Sequence, residues 1–317
     1  MEFEVIKADL DIKARILKCQ INSAVLETPI LWLGYELRSP LRLWEGFYVD
    51  GIILNAYELL SHRAEINWYK SYSIQSYLGY HGPIMIDSGG FIFMRRNDIS
   101  IDINELIDLY ERSRPLIGVV LDYPLDPFSK QIENRSRWAK ILENTRMMFS
   151  HNGSVPLLPI VHGHTMSEIA EACDALQELC DIEFLGIGSL VPLMKGIRGA
   201  NISELTEPEL KGSRRPLSTN KRYSSRHFVI DAIKYVRERF PDAFLHVFGV
   251  GGTTTIHLML ALGVDSIDSV GWRLKAGHVA KTDRVGAGVL CRMISGVRMR
   301  PAVPKPEEQE RLRVLTR

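Results

Sequence analysis

The chain has 317 residues, 45% of them hydrophobic and 24% charged, with a formal net charge of +1. That balance describes a globular protein large enough for a sizeable core, and excludes a low-complexity or collagen-like chain. It also removes any global electrostatic attraction to a polyanion, so a nucleic-acid partner has to be argued from local basic patches.

The N-terminal "MEFEVIKADLDIKAR" is too charged for a signal peptide, and no apolar run reaches membrane-spanning length. A cytoplasmic protein is the expectation. Residues 1 to about 45 read as a cap or small antiparallel addition, with "ILWLGYELRS" as a strand in it. From about residue 48 short apolar runs alternate with helical patterns. The runs "GIILNA", "PIMID", "IGVVLD", "PLLPIVHG", "FLGIGS" and "FLHVFG" predict strands, as does the weaker "SIDS". Helical spacing links Ile103, Leu106, Ile107 and Tyr110, then Trp138, Ile141, Leu142, Thr145 and Met148. It links Ile169, Cys173, Leu176 and Cys180, and finally Phe228, Ile230, Ile233, Val236 and Phe240.

Continuous apolar strands separated by helices indicate a parallel sheet covered on both faces. About seven such units fit an α/β fold of the (β/α)8 TIM-barrel type better than an open sheet. The expected organisation is a single barrel domain over 1–297 with its N-terminal cap, then a charged, Pro-containing tail over 298–317. The four cysteines, Cys19, Cys173, Cys180 and Cys291, form no C-x-x-C pair and no Cys/His cluster of zinc-ligand spacing, so no metal site is expected from them. His162 and His164 form a pair without an evident third ligand. One segment is strongly basic: Lys211 to Arg226, "KGSRRPLSTNKRYSSR", has six basic residues and no acidic one.

In a barrel, chemistry gathers at the C-terminal ends of the strands. The residues found there are Asp87 after "IMI", Asp122 after "GVVL", His162 in "PIVHG", Gly188 and Ser189 in "FLGIGS", and Asp268 in "GVDSIDS". Taken singly, an aspartate at a strand end also serves as a helix cap or turn former, and a glycine as a turn residue. Taken together, three carboxylates and an imidazole would share one mouth, with glycines that let a planar ligand approach the backbone.

"DSGGF" at 87–91, "LD" at 121–122, "GSLVPLM" at 188–194 and "HVFGVGG...ALGVDSIDS" at 246–269 occur in an order and spacing that resemble the tRNA-guanine transglycosylases, the archaeal branch above all. The resemblance implies a (β/α)8 barrel that exchanges a guanine in nucleic acid for a 7-deazaguanine base. It makes Asp268 the nucleophile and Asp87 the general acid and base. Phe91 would stack on the base, with Trp272 on its other face, while Ser88, Asp122, His162, Gly188 and Ser189 surround the guanine. His162 stands where bacterial members have glutamine.

Retention at the sugar carbon requires a glycosyl ester on one carboxylate and a second carboxyl that alternates between acid and base. No cofactor is implied. The family's C-x-C-x-x-C zinc run is not found after Asp268, and "SVGWRLKAGH" replaces a proline-threonine-arginine run that contacts tRNA. The family's C-terminal RNA-binding domains are likewise not evident. These departures resemble the DNA-modifying paralogues and imply DNA as the partner, a base such as preQ0, and accessory DNA-modification proteins. Arg214, Arg215, Lys221, Arg222, Arg273 and Lys275 would contact the phosphates, and a homodimer is an assembly to test. The alternatives are a tRNA enzyme without zinc, a non-catalytic partner subunit, and a barrel handling a phosphorylated metabolite through "FGVGG".

Overall fold

The computed structural model describes residues 2–9, 13–22, 24–37, 39, 42–46, 48–61, 73–90, 92, 100–151, 153–195, 225–252 and 255–270. Three strands come first: β1 (Glu2–Ala8), β2 (Arg15–Ile21) and β3 (Ala24–Glu27), paired antiparallel in that order. Nine further strands form one parallel sheet. In chain order they are β4 (Ile30–Gly34), β5 (Gly51–Asn55), β6 (Ile84–Asp87), β7 (Ile117–Val119), β8 (Leu157–Leu158), β9 (Ile160–Val161), β10 (Phe184–Ile187), β11 (Phe244–Val247) and β12 (Ser266–Ser269). The spatial order is β8-β7-β6-β5-β4-β12-β11-β10-β9.

The two ends of this list are one strand. β8 and β9 are separated only by Pro159, which has no N–H to give to a ladder. On one side this segment accepts from β7, through Gly118 N–H to Pro156 O and Val120 N–H to Leu158 O. On the other it accepts from β10, through Gly186 N–H to Pro159 O and Gly188 N–H to Val161 O. Carbonyls of opposite parity thus serve opposite neighbours, and the sheet closes as an eight-stranded barrel. The run "PLLPIVHG" is therefore the single strand that its sequence suggests.

Helices cover the outside: α1 (Ala56–Ser61), α2 (Ile74–Leu78), α3 (Ile103–Ser113), α4 (Gln131–Ser150), α5 (Met166–Leu179), α6 (Val191–Lys195), α7 (Ser225–Arg239) and α8 (Ile256–Ala261). None of the described helices is long and apolar enough to cross a membrane. The predicted helical stripes lie on α3, α4, α5 and α7, and Leu106, Ile141, Cys173 and Val236 among them are fully buried.

Alternation divides the strand residues between two cores. Trp32, Ile53, Met85, Val119, Ile160, Phe184 and Phe244 fill the barrel interior, and Leu17, Cys19, Ile21 and Leu26 of the antiparallel sheet join the same cluster. Leu31, Ile52, Ile86, Leu185 and Ile267, their neighbours in sequence, face the helices. The small sheet packs at the N-terminal end of the barrel, where Arg15 of β2 grips the buried Asp265 with Nε and Nη2, both at 2.8 Å.

One expectation is corrected here. "ILWLG" is not part of an antiparallel addition: β4 lies between β12 and β5, parallel to both, and begins the barrel. The antiparallel unit spans only residues 2–27. Among the described residues, the link from β4 to β5 carries a 3-10 turn, Leu43–Glu45, and no covering α-helix. Without that strand-helix alternation, the apolar run alone does not reveal its parallel pairing.

Candidate active site

Because all eight strands point the same way, their C-terminal ends share one rim. Asp87 closes β6, Asp122 follows β7, His162 follows β9, Gly188 and Ser189 follow β10, and Asp268 lies in β12. The sequence-predicted groups within the described residues thus meet at one mouth. Phe91, Trp272, Arg214, Arg215, Lys221, Arg222, Arg273 and Lys275 lie outside the described residues.

On one side of the mouth, Asp122 anchors a chain of polar contacts. Ser88 Oγ–H donates to Asp122 Oδ1 at 2.9 Å, and Asp122 Oδ2 lies 3.1 Å from His162 Nε2, off the line of a good hydrogen bond. His162 Nδ1 is 2.8 Å from Ser189 Oγ, which also accepts from the Leu125 N–H at 2.8 Å. Ser88, Asp122 and His162 are all buried. Such a network fixes its members, since a buried polar group without a partner costs about 1–3 kcal/mol.

Local sequence sets this geometry. Ser189 has φ of 62°, a left-handed conformation unusual for a residue with a side chain, and it turns Oγ toward His162. Gly188 leaves no room for a Cβ, which would collide with Cε1 of the His162 ring. Gly90 is equally confined, because a Cβ there would strike the Asp122 carboxylate and Pro124. Behind His162, α5 starts with a capping box: Thr165 Oγ1 accepts from Glu168 N–H at 3.2 Å while Glu168 Oε2 accepts from Thr165 N–H at 3.1 Å. A further bond from His164 N–H to the same Oε2, at 2.7 Å, ties down the turn.

Across the mouth stands Asp268. Its Oδ1 accepts from Gly249 N–H at 2.5 Å and lies 3.4 Å from Nε2 of His246. Its backbone carbonyl accepts from Gly251 N–H at 3.1 Å, and a Cβ on Gly251 would collide with that oxygen. Gly249 and Gly251 of "FGVGG" are therefore engaged with the Asp268 strand. His246 was not apparent from the sequence as a site residue. Its signal was a polar residue in the middle of an otherwise apolar strand, "FLHV", at an inward position.

Asp87 differs from both. Loss of water around it raises its carboxyl well above the usual aspartate value, and the charges of Asp122 and Asp268 push in the same direction. The amides of Gly89 and Ser88 oppose this and do not overcome it. Asp87 is thus a carboxyl on which burial favours the protonated form, close enough to Asp268 to feel its charge. Two carboxyls in one cleft can divide acid-base and nucleophilic work between them.

Fold and site together define a closed parallel barrel with an acid-lined C-terminal mouth. The chain is similar to several curated proteins that describe this class more closely. It is 26% identical over 292 residues to the tRNA-guanine(15) transglycosylase of Pyrococcus furiosus, covering 90% of this chain and 43% of that protein. Against the proteins of the same name from Methanosarcina mazei and Nanoarchaeum equitans the identities are 28% over 283 residues and 25% over 284. Those matches cover 86% and 87% of this chain, and 51% and 59% of the relatives. The chain thus spans about half the length of these relatives. No protein-family model matches it. Its similarity to these archaeal proteins runs over most of its own length.

Proposed function

We propose that the protein is a pentosyltransferase that exchanges guanine in nucleic acid for a 7-deazaguanine base, with Asp268 as nucleophile and Asp87 as general acid and base. The observation that carries this reading is that Asp87 and Asp268 meet at one mouth, where burial first, and then the charges of Asp122 and Asp268, raise the Asp87 carboxyl. Asp268 attacks C1′ of the nucleotide. The C1′–N9 bond breaks, its electron pair passes to the leaving guanine, and the proton of Asp87 neutralises the departing base. A glycosyl ester on Asp268 results. The incoming base then gives its N9 proton to the Asp87 carboxylate and attacks C1′, and the ester bond returns its electrons to Asp268. Two inversions give retention.

Base recognition falls to the network around Asp122. An ionised carboxylate accepts the N1–H and exocyclic amine of guanine, and Ser88 and His162 hold it for that purpose. Gly188 is assigned to meet the base edge, and Phe91 and Trp272 are the aromatics assigned to stack on it. The target must leave its helix to be reached.

DNA is the substrate this reading prefers. The segment after the nucleophile, "SVGWRLKAGH", differs from the tRNA-contacting run of the bacterial enzymes. The basic segment Lys211–Arg226, with Arg214, Arg215, Lys221 and Arg222, together with Arg273 and Lys275, supplies phosphate contacts. A base such as preQ0 would be the incoming partner, with accessory DNA-modification proteins upstream and a homodimer as the assembly. The second reading is a tRNA substrate, which the names of the archaeal relatives favour. A direct test offers the protein duplex DNA and tRNA in parallel with a labelled 7-deazaguanine. Label in DNA supports the preferred substrate. Label in tRNA alone transfers the assignment to the second reading, and label in neither removes the function.

A further inference from the structure

We infer that His246 is a positioning residue for Asp268, acting from beneath it through the side of the carboxylate that does not meet the sugar. This inference rests on the reading of Asp268 as nucleophile. His246 sits in β11 with no solvent exposure, directly beside Ser266 in the register of β11 and β12. Its Nδ1 is 2.7 Å from Ser266 Oγ, and its ring meets Phe248 edge-on with centroids 4.3 Å apart. Phe248 in turn occupies the space that a Cβ on Gly186 would need. The imidazole is therefore held by Ser266 at Nδ1 and by Phe248 against its ring.

What remains is Nε2. Among the described residues it has no well-formed hydrogen bond, and it faces Asp268 Oδ1 at 3.4 Å. If Nδ1 accepts the Ser266 hydroxyl, the ring proton belongs on Nε2, aimed at the carboxylate. Long, poorly aligned contacts of this kind tighten when a reactive complex forms. Complete burial keeps His246 from exchanging protons with a departing base, so it acts through Asp268.

The second donor to Asp268, the Gly249 N–H, also falls on Oδ1. Both donors therefore converge on one oxygen and direct Oδ2 to the ribose carbon. In the glycosyl ester, Oδ1 becomes the carbonyl oxygen, and donors held against it stabilise the negative charge that returns when the ester breaks. A group that favours the free carboxylate over the ester assists the second displacement above all. Loss of His246 accordingly leaves more of the protein trapped as the ester.

The test compares wild type, His246→Phe, His246→Gln and Asp268→Asn in base exchange and in acid-quenched gels that resolve the covalent protein-nucleic acid adduct. Loss of a hydrogen bond to a charged partner predicts a kcat about 10- to 100-fold lower in His246→Phe, with KM within about 3-fold of wild type. A larger steady-state fraction of adduct should accompany that fall. His246→Gln, which keeps a donor, should recover most of the lost rate. Wild-type kcat in His246→Phe overturns the inference, and so do equal losses in both His246 variants that track a lowered melting temperature. Exchange that survives in Asp268→Asn overturns the underlying reading, a result distinct from either of these.

Discussion

Asp87, Asp122 and Asp268 are the same residue type at comparable positions, and their surroundings assign them different work. Asp122 meets a hydroxyl and an imidazole, Asp268 an amide and a second imidazole, and Asp87 chiefly the loss of water, with the fields of the other two added. The raised Asp87 carboxyl has a consequence for stability. A carboxyl whose folded pKa exceeds its unfolded one binds more protons in the native state, so its contribution is complete at low pH and is lost as pH rises through the folded value. Asp87→Asn removes that penalty. It should melt higher than wild type at pH 7 to 8, with the difference fading as pH falls toward the ordinary aspartate value of 3.8. It should also lose at least about 100-fold in kcat, the lower bound for removing a general acid-base. Thermal melts across pH together with steady-state rates check both halves. A variant that is less stable at neutral pH would contradict the account of Asp87.

At the scale of elements, the site depends on how closely loops approach side chains. Gly188, at the end of β10, backs onto the His162 ring, and Gly90 backs onto Asp122. Gly188→Ala must displace the imidazole and with it the Asp122 carboxylate. The predicted result is a rise in KM for nucleic acid of about 10-fold, with a smaller change in kcat, since the damage falls on base recognition. Steady-state kinetics with the preferred nucleic acid measures it. The apolar runs that became strands, and the aspartates that end two of them, were legible because a parallel barrel buries its strands on both faces. "ILWLG" was not, because no α-helix stands between β4 and β5 among the described residues. His246 was missed for a related reason: attention to residues that follow a strand overlooks those inside it, where only alternation shows that a polar side chain points inward.

At the scale of the molecule, the two ends of the barrel do different things. The C-terminal mouth collects carboxyls that are incompletely paired, whereas the N-terminal end compensates its buried charge. Asp265 is fully buried and accepts from Arg15, from Arg237 Nη2 at 2.6 Å and from the Leu245 N–H at 2.8 Å. Arg237 donates further to the carbonyls of Gly263, Phe240 and Ala243. The antiparallel sheet, β11, β12 and α7 are thereby joined at one carboxylate. Asp265→Ala would strand two guanidinium groups, and removing one partner of a buried ionic cluster costs about 3–5 kcal/mol. Urea unfolding should show that loss, while whatever protein remains folded keeps its KM because the mouth is at the other end.

The central claim is that Asp268 becomes covalently linked to the sugar. Its most direct measurement is peptide mapping by mass spectrometry of wild-type protein quenched in acid during exchange of a labelled base. The expected result, after nuclease trimming, is the mass of a base-free sugar phosphate on the peptide containing Asp268, and none in Asp268→Asn. An adduct on another residue, or exchange at the wild-type rate by Asp268→Asn, would contradict it.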